Sequence, residues 1–321
     1  MLVASIWLVL AMLVVAGVFG VYVAIQVEQA RKAKVRTAES LDWIATEQTL
    51  LYLFAVNGMT RRGLTVGGEK PATIRLDGTR YLGFGDTTFS VDDYGGLVGV
   101  NVYNNLHLRQ VLDSYSMADS ARNELLDNLY DYIDLDTLVR LNGYEAIGAK
   151  NSDFSPANEF IKSVPELRNV LGWEAFLDSH PGFAAEDWLS TNWRSRINLN
   201  TVPVSLMQRV LPITIEEAGR LVEARRQKPF RNMDSVNELL NHRVRLIEDY
   251  YTFLPTGDVR FRIHSGNSSK VSTMVVLYSP MSVRTPWVVD YRYQSERRTN
   301  RKTSPWVVAG KFFGRKPNPA G

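Results

Sequence analysis

Residues 1–27 carry no side-chain charge, and the run MLVASIWLVLAMLVVAGVFGVYVAI covers 25 residues. That length spans a hydrocarbon core as α-helix. Helix is also the form in which a single segment leaves no backbone group unpaired in lipid. A cleaved secretory signal is the competing reading, and it fits less well. No basic stretch precedes the apolar run, the run is too long, and no clear small-x-small site closes it. The helical pattern continues beyond the apolar stretch. Residues 22–56 contain neither Gly nor Pro, and apolar positions recur at Val35, Ala38, Leu41, Ile44, Leu50, Leu51 and Phe54. This is roughly the three-and-four spacing of one helix face. Asn57-Gly58 supplies a stop. The expectation is one helix of about 55 residues, roughly 80 Å long. Its first half (1–27) lies in lipid, and its second half (28–57) carries an apolar stripe that must be covered by protein. Arg31, Lys32, Lys34 and Arg36 follow the span, which the positive-inside tendency would place in the cytoplasm. Nothing charged but the amino terminus precedes it, so this signal has little weight.

Composition narrows the function classes. The 321 residues are 45% hydrophobic and 22% charged, enough apolar material for a sizeable core. The absence of Cys excludes disulfides, Cys metal knuckles and thiol nucleophiles. With four His (107, 180, 242 and 264), a His-rich metal site is not expected. The net charge of +3 divides unevenly. Residues 292–321 hold eight Lys or Arg and one Glu, so the remaining chain is net −4. The basic character therefore belongs to the tail and does not mark the body as a nucleic-acid binder.

After Gly58 the pattern changes. Residues 72–83 and 86–103 show short alternating runs broken by Asp-Gly and Gly-Gly, which predict strands and tight turns. Helical periodicity takes over from about 105 to 255. The candidate helices are 106–113, 117–130, 158–171, 204–211, 215–227, 233–241 and 243–250. Strand patterns return at 258–278 and 286–294. The fold class is α+β. A long N-terminal helix packs on a small antiparallel sheet (58–104 and 258–295), interrupted by a large α-helical insert (105–257). A basic tail (296–321) follows, with PWVV at 305–308 as one further strand candidate.

The best local motif is residues 197–240. Asn200 or Thr201 can cap a short helix starting at Pro203, with Leu206 and Val210 on its apolar face. Thr214 and Glu217 form a capping-box pattern ahead of a second helix carrying Ala218 and Leu221, and Ser235 with Glu238 opens a third. The unit is helix-hairpin-helix-like. Such units often bind DNA phosphates through a Gly-containing hairpin, but Leu211-Pro212-Ile213-Thr214 has no Gly, and Pro212 donates nothing. Arg225, Arg226 and Lys228 cluster at the helix end, where the macrodipole explains them equally well. We read Asn198, Asn200, Thr201, Pro203, Leu206, Ala218 and Phe230 as a packing set. A partial echo of Phe230 and Ser235-Val236 occurs at Phe160 and Ser163-Val164, suggesting two related helical units. Asp92, Asp93, Asp131, Asp134 and Asp136 are candidate oxygen ligands for a hard cation such as Ca²⁺, although no EF-hand loop is present. No GxSxG, HExxH or GxGxxG motif occurs.

Taken together these segments resemble the K-type minor pseudopilin of bacterial type II secretion, the general secretion pathway protein K family. The resemblance runs through INLNT (197–201) followed by Pro203, Leu206, Ala218, Arg225 and Pro229-Phe230. It also includes VDDYGG (91–96), YIDLD (132–136), GYE (143–145), PANEF (156–160) and SVPEL (163–167), with an apolar start SIWLVLAMLVV. It implies a pilin-like fold with a large helical insert and a non-enzymatic role at the tip of a periplasmic pseudopilus. The implied partners are I- and J-type minor pseudopilins, the major pseudopilin, prepilin peptidase if a leader exists, and secretin or secreted cargo. It further implies an inner-membrane span and Ca²⁺ in some members; nucleic acid is not expected. The stripe Val35, Ala38, Leu41, Ile44 and Leu51 would then face neighbouring subunits. Three features depart from the family pattern. No leader stands before the apolar start. Ser5 occupies the place where major pseudopilins carry glutamate, which agrees with the K type. LVGVNVYN follows the first acidic box. The alternative is a membrane-anchored DNA-binding or DNA-uptake protein using residues 197–240, and a membrane-anchored hydrolase is a third possibility.

Overall fold

The structure is a computed structural model, and it describes residues 2–67, 72–145, 155–240, 244, 248–264, 269–279, 281–296 and 313. Helix α1 runs unbroken over Leu2–Val56, 55 residues. It ends where Asn57 donates both its backbone N–H and its side-chain Nδ2 to the Leu53 carbonyl, at 3.1 and 2.8 Å. Burial begins only at Thr46. From there Thr46, Glu47, Leu50, Leu51, Leu53 and Phe54 form one face that packs on the sheet. Thr46 Oγ1 accepts from the Phe84 N–H at 3.0 Å. Gly83 permits that approach, because a Cβ there would lie 2.7 Å from Thr46 Oγ1.

Two short strands, β1 (Met59–Thr60) and β2 (Gly63–Val66), form a hairpin that β3 (Ala72–Ile74) extends to a three-stranded sheet. The sequence reading has no strands at β1 and β2. Two and four residues long, they carry too little periodicity to detect. The main sheet starts with β4 (Asp77–Leu82) and β5 (Thr88–Asp93). The chain then leaves it through β6 (Val98–Gly99), α2 (Leu106–Asp113), α3 (Asp119–Ile133), α4 (Trp173–Ser179), α5 (Ala185–Trp188), β7 (Leu189–Ser190) and β8 (Ile197–Asn198). It continues through α6 (Val204–Val210), α7 (Ile215–Gln227), α8 (Met233–Asn237) and β9 (Tyr251–Thr252). It returns as β10 (Asp258–His264), β11 (Lys270–Tyr278) and β12 (Trp287–Glu296). The antiparallel sheet order is β12-β11-β10-β5-β4. Val259 pairs with Asp93, so the excursion leaves and rejoins the sheet at adjacent points. The expected α+β architecture, long helix on an antiparallel sheet with a large helical insert, is therefore present. The excursion starts at Tyr94 rather than 105. Strand β6, grouped with the sheet in the sequence reading, pairs in parallel with β7 of the insert.

The helices differ from expectation where local signals compete. Residues 164–169 form a 3-10 turn, with Pro165 at its start, in place of the helix expected over 158–171. Helices α4 and α5, seven and four residues long, were not anticipated. The expected 243–250 helix is described only as a 3-10 turn at Glu248–Tyr250, residues 245–247 lying outside the described residues. The strand candidate at 305–308 and nearly all of the basic tail lie outside them too.

The insert holds an internal repeat in a register different from the one the sequence suggested. Val98-Gly99-Val100-Asn101 corresponds to Ile197-Asn198-Leu199-Asn200. Each segment pairs in parallel with a later strand, β7 and β9. Val100 N–H donates to Ser190 O at 2.9 Å, and Leu199 N–H donates to Thr252 O at 3.1 Å. Asn101 clasps Ile161 through both main-chain groups at 2.9 Å and also reaches Thr191 O. Asn200 clasps Phe230 in the same way, at 2.9 and 2.8 Å, and reaches Phe253 O. Ile161 is thus the counterpart of Phe230, and Ser163 of Asn232. Phe160, the expected anchor, is 52% exposed. The buried sets His107, Leu108, Val111, Leu112 and Leu206, Met207, Val210, Leu211 match position for position. All of them except His107 belong to one insert core. A second core lies between α1 and the main sheet, where Phe54 meets Phe261 edge-on at 5.0 Å between centroids.

Candidate functional site

Helix α1 carries two apolar faces with different fates. Val35, Leu41 and Ile44 are 53%, 62% and 46% exposed, and Ala38 is exposed with them. Leu51 is 6% exposed and sits in the chain's own helix–sheet core beside Leu50 and Phe54. The expected stripe therefore divides. Its upper end closes the intramolecular core, and its lower part is left exposed among the described residues. A groove of about 720 Å³ opens where the helix departs from the sheet, between Arg36–Ile44 on one side and Ile263, Lys270, Ser272 and Gln294 on the other. Its upper end is fastened by Arg292 of β12, which pairs with Glu47 at 2.6 Å and stacks over Trp43. Burial raises the Glu47 pKa, and Arg292 opposes that shift. The helix is also the candidate membrane span: its apolar part has a mean hydropathy of 2.7, and among the described residues none of that part is buried.

The acidic pair and the INLNT motif, about a hundred residues apart, meet at the junction of sheet and insert. Asp92 accepts from Arg260 Nε at 3.2 Å and lies 3.0 Å from Arg262. Asp93, fully buried, accepts from five donors. On Oδ1 these are the Gly95 N–H, the Thr256 N–H and the Thr256 hydroxyl; on Oδ2 they are Asn198 Nδ2 and the Thr201 hydroxyl. Gly96 lets Thr201 come close, since a Cβ would lie 2.6 Å from Thr201 Oγ1. Pro203 holds the N-cap position of α6 without a side-chain bond, and Asn200 clasps Phe230 rather than capping. Leu206, Ala218 and Phe230 lie in the insert core. The capping box of Thr214 and Glu217 is formed. Helix α8 is capped by Asn232, with Ser235 as its capping-box partner, one turn earlier than the expected Ser235–Glu238 pair.

Asp131, Asp134 and Asp136 lie elsewhere, at the end of α3. Arg140 Nε lies 3.2 Å from Asp131, and Arg140 Nη2 donates to Asp134 at 3.3 Å. The Arg140 guanidinium also stacks over the rings of Tyr103 and Tyr130. Asp136 accepts from the Leu138 N–H at 2.8 Å. Burial raises the pKa of both Asp131 and Asp134, with neighbouring carboxylates adding to it and Arg140 opposing it. The two acidic groups differ in what is left open: at Asp131 and Asp134 the Oδ1 atoms are buried without a hydrogen-bond partner. Hydrogen-bond donors fill the Asp92–Asp93 pair, and a guanidinium already lies between Asp131 and Asp134. Among the described residues no group of three or more His, Asp or Glu is arranged to hold a metal ion. The two acidic groups are engaged by different partners and do not form one site.

The cation cluster at the end of α7 is also divided. Arg225 is buried and donates to Leu199 O at 2.9 Å, while Arg226 pairs with Glu223. Arg225 is a packing residue that ties α7 to the INLNT strand. Sequence reasoning missed it, along with Arg260 and Arg262. Only the charge of these residues was legible, because their carboxylate partners lie far away in the chain.

The class defined by this architecture is the pilin-like α+β fold, in which a long N-terminal helix with a membrane-length apolar start packs its C-terminal end on an antiparallel sheet. No family model matches the chain, and no curated protein does. Among solved structures it is similar to a chain of the GspK-GspI-GspJ complex from the type 2 secretion system of enterotoxigenic Escherichia coli. The TM-score is 0.55 at 16% sequence identity, over 84% of this chain and 99% of that one. The likeness is one of fold, and it extends to the fold of a pseudopilin.

Proposed function

We propose that this chain is a non-enzymatic minor pseudopilin of the K type. It starts assembly of a type II secretion pseudopilus at its tip, together with I- and J-type minor pseudopilins, and so supports protein export across the outer membrane. In this reading α1 is a single inner-membrane span, the body lies in the periplasm, and the major pseudopilin follows below. Prepilin peptidase, the secretin and secreted cargo are further contacts the reading allows. The carrying observation is the division of α1: Val35, Ala38, Leu41 and Ile44 continue the apolar surface of the span and stay exposed among the described residues. Helices that pack side by side would bury such a face. The likeness to a chain of a GspK-GspI-GspJ complex supports the choice of partners. The DNA-binding alternative loses support because Arg225 is consumed by internal packing.

The test separates folding from assembly. Leu41→Asp should leave the thermal unfolding of the full chain in detergent unchanged while abolishing co-purification with I- and J-type partners. Leu50→Ala, in the intramolecular core, should lower stability by about 2–5 kcal/mol. Complex formation by Leu41→Asp at normal affinity would defeat the proposal.

A further inference from the structure

Where α1 leaves the sheet it is gripped from two flanks by few contacts. On the β12 flank Arg292 pairs with Glu47 and stacks over Trp43, with Gln294 lining the groove below. On the opposite flank stands the turn between β4 and β5. It is closed by the Gly83 N–H to Thr87 O at 2.7 Å and the Thr87 N–H to Phe84 O at 2.9 Å. That turn meets the helix through its backbone. The Phe84 N–H donates to Thr46 Oγ1 at 3.0 Å, and a Cβ on Gly85 would lie 2.0 Å from Asp42 Oδ2. The partly buried Phe84 ring is met edge-on by Phe313 at 5.4 Å between centroids. Phe313 also lies 4.7 Å from the ring of the fully buried Phe89, is itself 6% exposed, and belongs to the same core as Leu50, Leu51 and Phe54. It comes from the basic tail, separated from Glu296 at the end of β12 by residues 297–312. The tail thus starts on one flank of the helix and seats an aromatic ring on the other. Closing such a tether onto the core costs conformational entropy, which burial of a phenyl ring against two others offsets. The ring also props the turn against α1, since without it the apolar inner side of the turn would face a void.

We propose that the notch formed by Phe84, Phe89 and the emerging helix is a docking site for the chain's own C-terminal tail, and that the tail, fastened there by Phe313, is a strap that fixes the direction in which α1 leaves the body. Arg292 and the Phe313 ring then act on the helix from opposite flanks, at Glu47 and, through the turn, at Thr46. The strap concerns how one chain holds its own helix, so it stands or falls independently of the assembly reading.

Double electron–electron resonance on the full chain in detergent tests it. The chain has no Cys, so Thr37→Cys on the exposed part of α1 and Val288→Cys on β12 place two spin labels at unique positions. The parent should give one narrow distance distribution. Phe313→Ala should widen it about twofold or more, and a chain stopped after Lys311 should do the same. Amide hydrogen exchange of the same two variants locates the effect. Residues 46–54 of α1 and 83–89 of the turn should exchange at least about tenfold faster than in the parent, while α7 exchanges at the parent rate. The proposal is overturned by a parent-like distribution or parent-like exchange in either variant. It is equally overturned by a loss of protection that extends to α7, which would make Phe313 an ordinary core residue.

Discussion

Asp77 shows how a single residue holds a β-strand to the insert. Burial alone would raise its pKa, but Arg225, Arg75 and the Thr79 hydroxyl outweigh that and bring it down to about 2. Arg225 shows the cost of the same arrangement. Burial pulls it down to about 10 with Asp77 opposing that shift, and it stays charged at neutral pH. The stabilisation is accordingly shared between Arg225 on the insert and Arg75, whose guanidiniums lie 3.7 and 2.7 Å from Asp77. A depressed carboxylate pKa contributes stability above the unfolded value of 3.8, and that contribution is lost as pH falls toward 2. Asp77→Asn should therefore lower stability by about 2 kcal/mol at pH 7. The deficit should shrink steadily between pH 4 and pH 2, as read by denaturant unfolding across that range. None of this was legible in the sequence. Asp77-Gly78 reads as a turn, and the Arg225 that reaches it lies on a helix far along the chain. Asp93 carries the same lesson, since its partners Asn198, Thr201 and Thr256 are 105 to 163 residues away.

At the scale of elements, the two asparagine clasps are the most informative feature. Each Asn side chain imitates a strand edge. It pairs with the N–H and C=O of one residue and adds a bond to the carbonyl that follows a parallel strand. Removing either side chain leaves buried main-chain groups unpaired. Asn101→Ala and Asn200→Ala should each lower stability by about 2–4 kcal/mol. Asn→Asp at either position should be comparably harmful, because the donated bonds are lost. Thermal unfolding of the four variants checks the equivalence: an effect at one position without the other would show that the repeat is not energetically symmetric. The sequence carries the echo, but with its anchor one residue and its cap three residues out of register. The aromatic at 160 looked like an anchor, and the true counterpart of Phe230 is the buried Ile161. Helix α7 was read closely because its signals are local, Thr214 and Glu217 within one turn. The 158–171 segment was misread because its periodicity carried no measure of what Pro165 would do to the hydrogen-bond ladder.

At the scale of the whole molecule, the chain is built around one point of the sheet. Strand β5 ends at Asp93, the insert departs, and β10 returns beside the same residue. The span stands apart from this body. Among the described residues none of its apolar window is buried, and the helix begins to contribute to the core only at Thr46. Deleting residues 2–27 should thus leave the melting temperature of the body within about 3 °C of the full chain while removing the need for detergent. A collapse of the body on deletion would show that the span takes part in its folding.

The amino-acid order alone determined the rod, its lipid-length start, the alternation of strand and helix patterns, and the helix-hairpin-helix-like unit. Each is written in spacings of two to four residues, which the backbone reads locally. Tertiary structure alone decided which part of the α1 stripe stays open, how the insert repeats in register, and what the buried charges hold. Those outcomes depend on which distant groups meet in a medium where an unpaired charge or donor is costly. A residue's type records that it needs a partner without recording which partner it finds.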